Sequence, residues 1–315
     1  MSAAALAQLQ DPAWRYRPHL ERCRAHLVAG LAAEAPAAAV LVDYFERGKL
    51  LRALTVFSAA AAVGSDPEAV MAAAVAIELL HGASLFHDDL IDRADERRGL
   101  PALHVLVGPS AALVLGDYLL SRAFSVLAEA RALHPAARVL DAMQMLARQA
   151  QRCCRGQLDE LLWAEPVQAE RAYLEMVACK TAAPFVAAAT CGAILGGAGR
   201  AAVEQLADYA RNLGIAFQIC DDMLDLLAKS HELGKPAGNS LANGRPLLPL
   251  IYLGGVAPAT RNERRARLER EGVCERVRAT QQRFLDDACA ALEGPFEPDG
   301  VAALRELLAY ATLWR

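Results

Sequence analysis

Six aspartates in two copies of one pattern are the residues best placed to do chemistry: Asp88-Asp89-Leu90-Ile91-Asp92 and Asp221-Asp222-Met223-Leu224-Asp225. On a helix Asp88 and Asp92 share a face one turn apart, as do Asp221 and Asp225. Like charges at that spacing repel. Both copies also lie in apolar sequence, SLFHDDLID and FQICDDMLDLL, where unpaired carboxylates are costly to bury. Something positive must compensate. Carboxylate oxygens without cysteine, and without histidine at ligand spacing around the second copy, suit a hard cation. Mg²⁺ fits, because it takes one or two carboxylates and completes its octahedron with water and substrate phosphates. A solvated acidic helix face would explain one copy, but two copies on apolar helices speak against it.

Basic residues supply the other half of a diphosphate site. Arg97 and Arg98 follow the first motif in a loop where their planar forks can clamp phosphate oxygens. Lys49 and Arg52 stand three apart, on one helical face. Lys180, followed by Thr181, interrupts an apolar stretch and so needs an anionic partner, and Lys235 lies between Gly234 and Pro236. Glu78, His81 and Ser84 continue the Asp88 face as a polar stripe on an apolar helix. Glu78-x-x-His81 is also the motif of di-iron bundles, but none of the seven histidines supplies the second copy such a site requires. His87 reads as packing beside the first motif, and Asp286-Asp287, lacking a third carboxylate, as surface.

The elements that must position these residues are helices. Val203, Leu206, Ala210, Leu213, Phe217, Cys220 and Leu224 recur at steps of three and four, a core-facing stripe that leads into the second motif. Further long helices are predicted from about Pro67 to Asp92 and from about Ala111 to Leu133. Breaks fall at 64–67, 93–101, 234–249 and 294–300, where Gly, Pro and charged residues gather. No convincing run of strand alternation occurs, and no linker divides the chain. The expectation is all-α: a single domain over residues 1–315, a bundle of ten or more helices.

Composition agrees and excludes other classes. Ala supplies much of the 55% hydrophobic share and aromatics are only 6%, which favours helices. With 33 basic against 37 acidic residues and a net charge of −4, a nucleic-acid partner is not expected. The eight cysteines form no C-x-x-C pair, which suits reduced thiols in a cytoplasmic protein. No signal peptide is read in the first residues. The best membrane-span candidate, Ala182 to Gly199, is Ala- and Gly-rich with an early Pro184 and suits a buried helix better, so no integral membrane segment is expected.

Taken together, GKLLR (48–52), AIELLHGASLFHDDLIDRADERRG (76–99), LGDYLLSRAF (115–124), KTA (180–182), FQICDDMLDLL (217–227) and ELGKPAGNSLANGRPLLPLIY (232–252) resemble the trans-isoprenyl diphosphate synthases, or polyprenyl synthetases. The likeness runs from about residue 40 to 252 and more weakly beyond. It implies an isoprenoid synthase fold: a homodimer of helical bundles, each around a central cavity. It implies condensation of an allylic diphosphate with isopentenyl diphosphate into a linear all-trans product, geranylgeranyl or longer, since Ala83 and Ser84 above Asp88 are small. Asp88, Asp89, Asp92, Asp221 and Asp225 would hold three Mg²⁺ ions, supported by Asp222. Arg97, Lys180 and Lys235 would contact the allylic diphosphate, and Lys49, Arg52, His81 and Arg98 the isopentenyl diphosphate. Gln218 would lie beside the reacting allyl group, and Thr181 would contact substrate.

Three positions depart from the family pattern. Ala53 replaces a usual proline, Ser240 a usual aspartate, and Arg245 a usual lysine. The Ser240 change removes a carboxylate near the second motif. A terpene cyclase would show an N-D-x-x-S-x-x-x-E type motif, which is absent. A non-catalytic partner subunit usually lacks one aspartate motif, and both stand here. Prenyl transfer to a peptide or small molecule is a third reading, which only product analysis separates.

Overall fold

A computed structural model describes residues 15–34, 40–162, 170–227, 241, 244–255 and 260–312. Within them the chain forms fourteen α-helices. In chain order these are α1 (Arg17–Glu34), α2 (Val42–Glu46), α3 (Leu51–Ala62), α4 (Met71–Asp92), α5 (Leu103–Val107), α6 (Pro109–Glu129) and α7 (Ala136–Leu162). Then follow α8 (Glu170–Lys180), α9 (Ala182–Leu195), α10 (Arg200–Leu227), α11 (Leu248–Tyr252), α12 (Arg261–Arg270), α13 (Val273–Ala291) and α14 (Pro298–Ala311). The all-helical expectation holds, and the three long helices read from periodicity fall on α4, α6 and α10.

The ends of α4 follow from its sequence. Asp66 caps a 3₁₀ turn over Pro67–Val70 by accepting from Glu68 N, with Pro67 where its missing N–H costs nothing. At the other end Arg93 turns left-handed (φ +52°), and Ala94 N closes the last turn on Asp89 O.

At the middle lies α9, buried at every residue except Ile194 and packed by α3, α4, α7, α8 and α10. A helix apolar all round is stable only when enclosed. Residues 182–195 of the span weighed from sequence are therefore an interior helix, and the span's last four residues lie beyond its end. Two other described helices are long and apolar enough to cross a membrane, Pro67–Asp92 and Pro109–Ala132. The first is 72% buried within the bundle over its apolar window, the second only 33%.

The one strand pair among the described residues is a hairpin of two-residue strands, β1 (Glu96–Arg97) and β2 (Leu100–Pro101). Sequence alternation cannot reveal strands so short. Arg98 (φ +56°) and Gly99 (φ +71°) make its two-residue turn, both left-handed as such hairpins require. Only the glycine takes that conformation without strain. Arg98, held there nonetheless, donates from Nη1 to Tyr44 O at 3.0 Å.

Candidate active site

One cavity of ≈ 1080 Å³ gathers nearly all the polar residues singled out from sequence. Helix α4 contributes His81, Ser84, Asp88 and Asp92, and α10 contributes Gln218, Asp221 and Asp222. The joint between α8 and α9 adds Lys180 and Thr181. Lys49, Arg52, Arg97 and Arg98 line the same space. Lys235 and Ser240 lie outside the described residues.

Cations hold the first carboxylate pair. Arg245 Nη2 lies 3.0 Å from Asp88 Oδ1 and also meets Asp92 Oδ2. Lys180 Nζ stands 3.3 Å from Asp88 Oδ1 and 2.6 Å from Glu160 Oε2. Burial would push Asp88 up, but Lys180, Arg245 and Arg97 outweigh it and hold its carboxyl below the usual range. Asp92 moves the other way, raised by burial and by Asp88 against the pull of Arg245. The departure at Arg245 therefore keeps a cation on the acidic motif.

Asp89 does something else. One residue along a helix is a third of a turn around it, and Asp89 is fully buried with Oδ1 and Oδ2 accepting from Arg97 Nε at 2.9 and 3.0 Å. In this placement Asp89 is paired with Arg97 instead of being turned to the point where Asp88 and Asp92 meet. Its carboxylate fixes the β1–β2 hairpin and so aims Arg97. Asp225 is buried one turn behind Asp221 and does not line the cavity.

Asp222 is likewise more than a metal support. Its Oδ2 accepts from Tyr173 OH at 2.6 Å and from Leu248 N at 2.9 Å, and its Oδ1 from Gln218 Nε2 at 2.8 Å. Thr181 Oγ1 donates to Gln218 Oε1 at 2.8 Å. Burial pushes the Asp222 carboxyl up to about 7 in spite of those donors.

On the basic side, Arg52 lies over the Phe185 ring, 4.5 Å from its centroid. Burial lowers its pKa to about 10, against the attraction of Glu78. Glu78 Oε1 accepts from Ala53 N at 2.9 Å, satisfying one of the unpaired N–H groups in the first turn of α3. Proline has no such hydrogen, so the Ala53 departure adds a bond that the usual residue lacks. His87 lines the cavity and approaches Leu113 O at 3.1 Å, and Asp286 and Asp287 are exposed.

His81 is held neutral, its pKa pushed well below the usual value by burial and then by Arg52, Arg98 and Arg97. Below about pH 6.5 the unfolded chain takes up a proton that folded, substrate-free protein refuses. Its contribution to stability therefore falls as pH drops through that value, by about 1 kcal/mol between pH 7.5 and 5.5. Urea midpoints at the two pH values check this: His81→Gln is expected to reduce the difference, and an unchanged difference contradicts it.

Two members of the site, Glu160 and Tyr173, were not singled out from sequence. The signal for Glu160 was the demand of Lys180 for an anion, but nothing local shows that the partner lies 20 residues back. Tyr173 carries no sequence signal of its own.

The donor set suits a divalent cation. Asp88 and Asp92 already clasp one positive group between them, and both atoms that meet it are carboxylate oxygens. Among the described residues no three metal-ligating side chains meet at one point. The shell is partial, as for Mg²⁺ completed by water and phosphate.

Charged groups of both signs thus share one cavity with apolar side chains in its walls. The polyprenyl synthetase family model matches residues 36–281, and the chain belongs to that family. It is 43% identical over 205 residues to the geranylgeranyl diphosphate synthase of Methanosarcina mazei, 65% of this chain but only 63% of that one. It is 33% identical over 276 residues to the octaprenyl diphosphate synthase of Haemophilus influenzae, covering 87% and 79% of the two chains. The polyprenyl synthase from Caulobacter crescentus, solved with calcium and isoprenyl diphosphate, superimposes with a TM-score of 0.86 at 28% identity, covering 96% of this chain and 97% of that one.

Proposed function

We propose that this protein condenses an allylic diphosphate with isopentenyl diphosphate to a linear all-trans polyprenyl diphosphate, geranylgeranyl or longer. The observation that carries this reading is a single cavity joining Asp88, Asp92 and Asp221 to two sets of basic side chains, with apolar residues between. The complex of the Caulobacter relative with calcium and isoprenyl diphosphate supports a divalent metal and that ligand class.

Asp88, Asp92 and Asp221 would hold Mg²⁺, three ions by the family pattern, and the metal would supply positive charge to neutralise the leaving diphosphate. Lys180, Arg245 and Arg97 add fixed positive charge where the C–O bond breaks. Lys49, Arg52 and Arg98 hold the second diphosphate through charge, and His81 as a neutral hydrogen-bonding group. Its isopentenyl double bond then attacks the allylic C1, forming the new C–C bond, and the proton lost passes to the departed diphosphate. Apolar neighbours such as Leu85, Met176 and Phe217 keep water from the cation.

The growing tail runs along α4 past Ser84, which lines the cavity, towards buried Ala83, Leu80 and Ile77. Labelled isopentenyl diphosphate, each common allylic primer and Mg²⁺ should give a ladder of polyprenols after dephosphorylation, abolished by EDTA. No incorporation by folded protein would sink the reading. Ser84→Phe is expected to shorten the dominant product by at least one C5 unit; an unchanged ladder would place the tail elsewhere.

The partner is a second copy of the chain. Val105, Leu106, Leu113 and Val114 on α5 and α6 are each about half exposed or more (53, 50, 48 and 64%), an apolar patch that water penalises. A dimer burying it is expected by sedimentation, and Val114→Glu should shift the protein towards monomer; unchanged sedimentation would contradict this face. The unpaired cysteines among the described residues fit action in the cytoplasm.

A further inference from the structure

We infer that Tyr173 and Asp222 are positioning residues that fix the polarity of the Gln218 side-chain amide, turning its oxygen rather than its N–H₂ group toward Thr181 and the reacting allyl carbon. The inference rests on the condensation proposed above, and concerns groups behind the cavity wall as well as in it.

The geometry leaves the amide little choice. Asp222 receives donors from three elements: Tyr173 OH of α8 and Leu248 N of α11 on Oδ2, and Gln218 Nε2 of α10 on Oδ1. Leu248 N can only donate, so Oδ2 accepts, and with Asp222 in its ionised form both oxygens only accept. An accepting Oδ1 obliges Gln218 to present Nε2 to it. The Gln218 oxygen must then point the other way, and there Thr181 Oγ1 donates to it at 2.8 Å. The Thr181 proton is thereby used, which leaves hydroxyl lone pairs free. Both Gln218 and Thr181 line the cavity, so two oxygen atoms with unshared electrons stand at its wall.

That polarity matters only if positive charge develops beside it. Oriented dipoles aimed at developing charge act strongly in a site that excludes water, and a reversed dipole opposes the reaction by a similar amount. Mere helix packing does not require this network. Tyr173 and Asp222 are each 1% exposed, and apolar groups of like volume could fill that space without burying a carboxylate.

Three variants test the inference: Tyr173→Phe, Asp222→Asn, and Asp222→Asn combined with Gln218→Glu. Asparagine at 222 presents an N–H₂ group to Gln218 and so reverses the amide. The added Gln218→Glu restores an oxygen on both sides. Steady-state kinetics for both substrates are measured with saturating Mg²⁺, together with the fraction of allylic diphosphate lost as alcohol. Asp222→Asn is expected to lower kcat by about 100-fold, with both KM values within about 3-fold and a larger alcohol fraction. Tyr173→Phe, which deletes one hydroxyl, should lower kcat by about 10-fold, and the double variant should regain at least about 10-fold over Asp222→Asn. Loss of kcat under about 3-fold in Asp222→Asn, or a double variant no better than the single, overturns the inference. If Asp222→Asn does not fold, Tyr173→Phe decides alone by the same kcat and KM split. An inactive wild-type protein would sink the condensation reading itself, whereas an active one with tolerant variants sinks only the inference.

Discussion

Asp88→Asn is expected to lower kcat by about 10³-fold or more while the protein stays folded. Asp88 is the carboxylate on which the site's charges converge, facing Lys180 at 3.3 Å and Arg245 at 3.0 Å. Neutralising it removes a proposed metal donor and half the acidic clasp at once. The cations are not left stranded, because Lys180 keeps Glu160 at 2.6 Å and Arg245 keeps Asp92. The loss should therefore fall on chemistry more than on stability, which separates this variant from the breakage of an isolated buried pair. Kinetics over a Mg²⁺ titration, beside a thermal melt, check both halves. Asp286→Asn, on an exposed carboxylate, should change kcat by less than about 2-fold. Equal losses in the two variants would remove the reason for placing the chemistry at α4.

Gly214→Val should cost about 3 kcal/mol or more of stability and most of the activity with it. Any Cβ at Gly214 drives into Ala182 at the start of α9, with Ala182 Cβ only 2.6 Å away. Those atoms belong to backbone and to a short side chain, so the helices themselves must part. Thr181 precedes Ala182, and Gln218 lies one turn beyond Gly214. Separating α9 from α10 therefore stretches the 2.8 Å bond between Thr181 and Gln218. Tm and kcat should fall together. Gly199→Ala, where nothing lies within 4 Å, is the control expected to leave both nearly unchanged. A wild-type Tm in Gly214→Val would show that the two helices are not in close register.

Much of this was legible in the sequence, for physical reasons. Periodicity of 3.6 fixes which face of α10 is buried, and it also brings Asp88 and Asp92 together one turn apart. The same rule could have set Asp89 aside, because adjacent residues do not share a face. Glu160 and Tyr173 were beyond reach: each meets its partner across 20 and 49 residues, through helix packing that no local pattern encodes. The left-handed Arg98 was hidden differently. It depends on a hairpin too short to alternate, tied down by Asp89 and by Tyr44 O.

The most direct measurement is a crystal structure with Mn²⁺ and a non-ionisable thiolo analogue of an allylic diphosphate. Anomalous peaks are expected against Asp88, Asp92 and Asp221, with Lys180 and Arg245 on the diphosphate and the apolar tail passing Ser84. Arg245 should have left the carboxylate pair to reach phosphate. Metal bound elsewhere, or a tail lying away from α4, would contradict the assignment of this cavity to allylic ionisation and chain growth.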